Sequence, residues 1–356
     1  MKSLRITFVV SIFVLFLQCG LSAFAQTSLY PIKQGDKWGL INASGQVVVQ
    51  PTFDEAKPFS EGMGRVRVKD KWGYVDSTGK LAIKPDFVLA NDFSEGMARV
   101  NTKGFSLFFP KHDYYIDKQG KTVLKHKSGI EYIAEFSNGL AHVWSDKGGG
   151  FVDKTGKLVF VTGFQEAFDF SDGAARVMNG KREMFANEHG LQEWSYVDTS
   201  GKLLFSPRKK IHFDDFSEGL AGFAEAAFVF GNGGFIDKAG NTVISLGSGP
   251  VTKFSEGVAG VRVTSLSGSK GFSFINKSGT LVFRLTDATE VYEFSNGRAR
   301  VKIGDKYGFV DHAGAMVIPA QFDEADNFWN GLARVSMKTG SVGYIDPTGK
   351  FVWRSN

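Results

Sequence analysis

Two arrangements of apolar residues divide this chain. From Ile6 to Leu17 they run almost unbroken, interrupted only by Thr7 and Ser11. After that they fall into short alternating runs such as Met97-Ala98-Arg99-Val100, each opened or closed by a glycine turn. Alternation with period two is the pattern of a β-strand with one face in a core. No later run is long enough to cross a membrane as a helix, so no second span is expected. The alternating runs recur in two phrases. The first is Phe-Ser-acid/Asn-Gly-x-small-x-Val. It starts at Phe59, Phe93, Phe136, Phe170, Phe216, Phe254, Phe294 and, with Trp in the Ser slot, Phe328, at spacings of 34, 43, 34, 46, 38, 40 and 34. The second is aromatic-Val/Ile-Asp-x-x-Gly-Lys, beginning at Gly39, Gly73, Tyr114, Gly150, Ser195, Gly234, Ser273, Gly308 and Gly343. Nine copies of the second interleave with eight of the first, so one unit is repeated along nearly the whole chain.

Each phrase predicts an element. In Tyr74-Val75-Asp76-Ser77-Thr78-Gly79-Lys80-Leu81 the Asp side chain caps a turn by accepting backbone N–H bonds, and Gly79 supplies positive φ to resume the strand. The acids Asp76, Asp117, Asp153, Asp198, Asp237, Asp311 and Asp346 are therefore turn formers. Asn42 and Asn276 fill the same slot, as a capping role allows and an acid–base role does not. In the first phrase Phe93 anchors in the core and Ser94-Glu95-Gly96 turns into a further strand, with Ala98 and Val100 on one face and Met97 and Arg99 on the other. Each unit thus comprises about three short antiparallel strands, too few to bury an apolar face alone, so stability comes from stacking on neighbours.

Asp36-Lys37-Trp38-Gly39 and Asp70-Lys71-Trp72-Gly73, followed by the Asp-x-x-Gly-Lys turn, resemble WG (KWG) repeats over roughly residues 30–354. The name-giving slot departs from the pattern: it holds Trp38, Trp72, Asp113, Gly149, Trp194, Gly233, Phe272, Tyr307 and Val342. The resemblance implies a β-rich array and supplies no catalytic residues. The fold expected is all-β, a tandem array of about nine three-stranded units. The start at Tyr30-Pro31-Ile32-Lys33 matches a third strand of the unit and the end at Phe351-Val352-Trp353 a second, so the ends are complementary. An open solenoid-like array is favoured; a closed propeller-like ring, with the first strand completing the last unit, is the alternative.

Charge and composition narrow the picture. Lys2 and Arg5 before the apolar run, and Ala23-Phe24-Ala25 after it, form a signal peptide over residues 1–25 with cleavage before Gln26, leaving 26–356 as the array. Gln18 is not the small residue that lipidation of Cys19 would need. Cleavage removes the single cysteine, excluding disulfides and thiolate metal sites, and leaves too small a positive charge to argue for nucleic acid. A secreted or periplasmic location, with surface association as a further option, follows from that signal.

Chemistry is sparse. None of His112, His126, His142, His189, His212 and His312 has a metal-ligand spacing, and no cofactor is indicated. His212-Phe213-Asp214-Asp215 and His112-Asp113 are surface loop pairs. No P-loop, nucleophile elbow or calcium loop is present. The Arg slot reads Arg65, Arg99, His142, Arg176, Gly222, Gly260, Arg300 and Arg334. The turn slot reads Glu61, Glu95, Asn138, Asp172, Glu218, Glu256, Asn296 and Asn330. Taken as pairs within a unit, these leave Arg300 and Arg334 as cations for an anionic ligand. Trp144 and Trp329, and Trp353 with them, fall outside the repeated Trp slot and are candidates for stacking on sugars. The expected function is a secreted, non-catalytic scaffold for protein–protein interaction. A glycan- or envelope-binding module is the second reading, and an envelope hydrolase with a site on the insertions at 101–113 and 179–194 the third.

Overall fold

A computed structural model describes residues 28–102, 113–125, 130–145, 148–179, 193–209, 211–225, 232–248, 250–264, 270–338 and 340–355. The expected signal peptide and most of both insertions lie outside the described residues. Every regular element described is a β-strand, and the strands form nine antiparallel sheets in chain order, spanning Tyr30–Phe53, Glu55–Phe87, Leu89–Lys125, Ile130–Val161, Glu166–Lys209, Ile211–Leu246, Val258–Leu285, Ala288–Phe322 and Glu324–Arg354.

The second sheet shows the plan: strands Glu55–Ser60, Met63–Val68, Lys71–Asp76 and Leu81–Phe87, each paired with the next. The unit therefore has four strands, not three. The extra one is the first, in the stretch before each Phe-Ser turn, and it shrinks to two residues at Leu89–Ala90 and Glu324–Ala325. The seventh sheet has three named strands, with a first strand reduced to the bridge Pro250–Val261. The first sheet is different. Its strands Tyr30–Gln34, Lys37–Ile41 and Val47–Phe53 match the second, third and fourth of the plan, and no first strand precedes them among the described residues.

The turns form as their chemistry requires. Asp153 Oδ1 accepts the Thr155 N–H at 2.9 Å, the Thr155 hydroxyl at 2.6 Å and the Lys157 N–H at 3.1 Å. Asn42 and Asn276 make the same bonds. Gly79 has φ +84°, and a Cβ there would stand 2.6 Å from Val49 of the preceding sheet, so both conformation and packing require glycine.

The core lies between sheets. Phe93, Phe136, Phe170, Phe216, Phe254, Phe294 and Phe328 are all buried. Phe93 packs with Tyr74 of the sheet before it, ring centroids 4.9 Å apart; Phe254 stands likewise on Phe235 at 4.6 Å. Each apolar cluster draws on consecutive sheets, as Met63, Tyr74, Ile83 and Phe87 with Phe93 and Val100 show.

The same logic continues past the last sheet onto the first. Tyr30, Ile32 and Ile41 form one cluster with Leu332 and Tyr344. Gly45 abuts the Val352 backbone as Gly79 abuts Val49. The array is thus a closed nine-bladed β-propeller. The all-β repeat expectation holds, and of the two architectures the ring is realised. An open array would leave Ile41 and Tyr344, both buried, facing water, at roughly 1.5–3 kcal/mol per large apolar side chain.

Candidate functional site

Three sets of polar contacts stitch neighbouring sheets together, and each is written in the repeat. The first uses the phrase serine. Ser60 donates its hydroxyl to the Phe93 carbonyl at 2.7 Å, Ser94 to Phe136 at 2.6 Å, and Ser137, Ser171, Ser217, Ser255 and Ser295 to the phenylalanine of the next sheet in turn.

The second set uses the turn slot. Glu61 has φ +50° and accepts N–H bonds from Glu95 at 2.6 Å and Gly96 at 2.9 Å. Glu95, Asn138, Asp172, Glu218, Glu256 and Asn296 accept the corresponding glycine N–H of the next sheet. Where the slot is acidic, the next sheet's hairpin supplies a basic side chain: Lys118 lies 3.4 Å from Glu61, Lys154 3.2 Å from Glu95, Lys238 3.7 Å from Asp172, Lys277 3.0 Å from Glu218 and the His312 ring 3.3 Å from Glu256. Where it is Asn138 or Asn296, that hairpin position is Thr199 or Pro347. The repeat matches charge across sheets, not within a unit.

The third set joins the Arg slot to the residue before the next sheet's phrase phenylalanine. Arg65 Nε lies 2.7 Å from Asp92, Arg99 3.9 Å from Glu135, His142 3.5 Å from Asp169 and Arg176 2.7 Å from Asp215. By position in the repeat, Gly222 matches Lys253, which needs no cation, and Pro31 matches Pro58, whereas Gly260 matches Glu293 and offers it none. This corrects the pairing of Arg with the turn acid of its own unit: both slots reach the following sheet, each to a different residue. A related contact lies within two of the sheets, from the residue two positions after the Arg slot to the first strand. Arg67 reaches Glu55 of its own first strand at 2.9 Å, and Lys302 reaches Glu290 at 3.0 Å.

The seam between ninth and first sheets lacks the serine, turn-glycine and Arg-slot contacts, because Trp329 replaces the serine and no first strand with its turn precedes Tyr30 among the described residues; Asn330 still falls to an uncharged hairpin position, Ala43, as Asn138 does to Thr199. Tyr30 occupies a slot held elsewhere by Gly64, Ala98, Ala141, Ala175, Ala221, Ala259, Ala299 and Ala333. Its ring stands edge-on to Trp329 at 5.8 Å and its hydroxyl donates to the Asn330 carbonyl at 2.6 Å. Burial pushes the Tyr30 phenol up to about 12. The Pro31 carbonyl accepts the Tyr344 hydroxyl at 2.8 Å, and proline has no N–H to leave unpaired. Elsewhere the tyrosine of this slot bonds to a carbonyl next to the following first strand, as Tyr74 does to Asn91 at 2.7 Å.

Two cavities open at the ends of Tyr30–Gln34. One, of about 480 Å³, is lined by Ser28, Phe59, Ser60, Glu61, Trp329 and Asn330 among others. The other, of about 230 Å³, has Lys33, Trp38, Arg334, Val342, Trp353 and Ser355 in its wall. Arg334 holds the Arg slot of the ninth sheet, and Lys33 corresponds to Arg67. Neither makes an ion pair among the described residues.

The sequence candidates therefore part company. Arg334 and Trp329 meet at the seam, on different cavities. Arg300 does not join them: its guanidinium stacks 3.7 Å from the Tyr292 ring and donates to the Ala325 carbonyl, while its Nε and Asn327 Oδ1 are buried without a hydrogen-bond partner. Trp144 sits half-buried in its sheet, paired with Tyr132 and Gly149. The repeated tryptophans pack as expected, Trp194 stacking on Phe168 at 5.7 Å and Trp72 under Arg65 and Arg67 at 5.7 Å. His212 lies 3.7 Å from Asp214, whose carboxyl burial pushes above the ordinary value. Among the described residues no cluster of three or more His, Cys, Asp or Glu side chains is placed to hold a metal, and no helix is long and apolar enough to cross a membrane. Lys33 was missed by sequence reasoning; its signal was the absence of an acid-bearing stretch ahead of it.

Fold and contacts together define a nine-sheet propeller built from one repeat. The WG containing repeat model matches residues 38–72, 72–104, 150–182, 234–265, 272–307 and 307–338, and the chain belongs to that family. In fold it is similar to a crystal structure of the eukaryotic initiation factor, with TM-score 0.62 and 11% identity over 92% of this chain and 95% of that one. BamB from Moraxella catarrhalis aligns with TM-score 0.42 and 11% identity over 82% of this chain and 95% of that one. No curated protein matches the sequence.

Proposed function

We propose that the chain is a secreted, non-catalytic scaffold that binds another protein at its closing seam. The observation behind this reading is how the polar side chains are used. At most interior seams the repeated serines, acids, lysines and arginines are occupied in holding sheets together. At the ninth–first seam Arg334, Lys33, Trp329 and Asn330 line open cavities. Secretion rests on the signal-like residues 1–25. The absence of catalysis rests on the turn role of the repeated acids, several of which are interchangeable with asparagine.

The test is quantitative cross-linking capture from the native envelope, with residues 26–356 as bait. The expected result is enrichment of a particular polypeptide whose cross-links map to Tyr30–Lys33, Trp329–Arg334 or Trp353. Capture of none, with the bait folded, overturns the scaffold reading. A glycan-binding function has one observation in its favour, the half-buried Trp329 beside exposed Asn330 on the larger, polar cavity. Retention on a glycan array that is lost in Trp329→Ala would favour it over a protein partner.

A further inference from the structure

The smaller seam cavity carries a sharper statement, resting on the scaffold reading and naming the chemistry of the partner. The first strand, which has no counterpart among the described residues of the first sheet, is elsewhere a source of carboxylate. In the other sheets the first strand supplies up to two acids, three residues apart: Glu166 and Asp169 in the fifth sheet, Glu290 and Glu293 in the eighth. The acid nearer the phrase phenylalanine meets the Arg slot of the preceding sheet, as Asp92 meets Arg65 at 2.7 Å. The other meets the second strand of its own sheet, as Glu55 meets Arg67 at 2.9 Å. At the closing seam the two receiving cations are both present, Arg334 in the first role and Lys33 in the second, and they line one cavity. Residues 1–27, which precede the first described strand, contain no Asp or Glu.

We propose that this cavity binds an extended acidic segment of a partner protein, with two carboxylates at Asp/Glu-x-x-Asp/Glu spacing, one pairing with Arg334 and the other with Lys33. Charge complementarity selects the occupant. The guanidinium takes a carboxylate in a two-pronged pair and the ammonium takes the second as a point charge. Trp38 and Trp353 give the cavity aromatic walls for the stem of an acidic side chain. Its volume of about 230 Å³ lies below the roughly 300–1,000 Å³ usual for small-molecule sites, and so favours side chains of a peptide over a cofactor. Recognition is through side chains and not by addition of a full strand, because Pro31 offers no N–H, its carbonyl is already bonded to Tyr344, and Tyr30 fills the place of the phrase phenylalanine.

The experiment uses residues 26–356 and a labelled, end-capped peptide, Gly-Glu-Ala-Ser-Asp-Ala-Ser, in fluorescence anisotropy at low salt. The acidic peptide binds; its Gln/Asn counterpart binds at least tenfold more weakly. Arg334→Gln and Lys33→Gln each weaken the acidic peptide at least tenfold with unchanged Tm, whereas Lys277→Gln, far from the seam in sequence, does not. A seam variant carrying Arg334→Glu and Lys33→Glu prefers a Lys-x-x-Lys peptide. Equal binding of the neutral peptide, insensitivity to both seam variants, or no binding at all overturns the proposal. So does binding that appears only once Gly-Ser-Gly is appended after Asn356, since the chain's own terminal carboxylate would then be the occupant. A captured partner whose retention ignores Arg334→Gln and Lys33→Gln defeats this proposal and leaves the scaffold reading standing.

Discussion

The seam between the second and third sheets and the seam between the ninth and first solve one problem with different parts. At the first, a phrase phenylalanine, Phe93, drops onto Tyr74, Ser60 holds its carbonyl, and Arg65 and Glu61 bind the incoming turn. At the second, no such turn precedes the incoming sheet among the described residues. Tyr30 fills the hole from the neighbouring strand, Tyr344 takes the orphaned carbonyl, and proline removes the orphaned donor. The apolar share of the job is reproduced and the ionic share is not. A ring can therefore be closed by packing and two hydroxyls, and the charges left over become available for something else.

The largest effect should come from the packing that both seams share. Phe254→Ala at an interior seam removes a buried ring and should cost about 3–5 kcal/mol; Tyr30→Ala should cost as much. The comparison lies in the mode of failure. The interior variant should melt as one lowered transition. Tyr30→Ala should loosen the ends first, seen as accelerated hydrogen exchange at Tyr30–Gln34 and Val342–Ile345 before the rest. Global exchange in both variants would mean that the closing seam is no weaker than the others.

A smaller effect separates the two tyrosine roles. The slot of Tyr196 is held by Phe151, Phe235, Phe274 and Phe309 in other sheets, so Tyr196→Phe at an interior seam should cost under about 1 kcal/mol. Tyr344→Phe strips the Pro31 carbonyl of the donor it has here, in a buried site, and should cost about 1–3 kcal/mol. Equal denaturation midpoints for the two variants would remove the special status given to Tyr344.

How much of this was legible follows from the range of each contact. The hairpins could be read because Asp76, Ser77, Thr78 and Gly79 settle their turn among themselves. The phrase phenylalanines could be read because each has the same surroundings. The first strand was missed: the residues before the phrase, such as Lys57, Ala134, Phe168, Thr252 and Asp326, share no side-chain character, since what recurs there is a backbone bond to the second strand, as from Ala134 to His142 and from Asp326 to Arg334. Closure was harder still. It rests on Tyr30 with Asn330 and Pro31 with Tyr344, pairs that occur once and lie some three hundred residues apart. The Arg slot was correctly singled out but joined to the wrong acid, because the true partner sits in the variable strand of the next unit.

Charge matching at interior seams offers a finer test. Asn138→Asp places a new acid opposite Thr199, where no lysine waits, and Thr199→Lys alone places a cation opposite an amide. Each single change should be neutral to slightly destabilising. The double change recreates the Glu218–Lys277 arrangement and should recover a coupling of about 0.2–1 kcal/mol, the range for exposed pairs. Zero coupling in the double-mutant cycle would mean that the regular alternation of acid with Lys, and Asn with Thr or Pro, has no energetic content.

The smallest expected effect concerns the turn that every sheet shares, and it is visible as a change with pH. The side-chain bond from Ser200 holds the Asp198 carboxyl below its ordinary value, helped by the Lys202 and Ser200 N–H groups and opposed by slight burial. A carboxyl held low in the folded chain adds stability that is fully present above its unfolded value near 3.8, and that stability is lost as pH falls through the lower folded value. Asp198→Asn keeps the capping oxygen, as Asn42 and Asn276 already do, but cannot titrate. At pH 7 the variant should be slightly less stable than the parent, because a charged acceptor bonds more strongly than an amide. As pH falls from 5 toward 3 the difference should close, and below the folded value the variant should be at least as stable. A constant offset in Tm across that range would show that the turn is insensitive to the charge of its cap, leaving the oxygen's geometry as the whole of its contribution at this seam and at the other hairpins built on it.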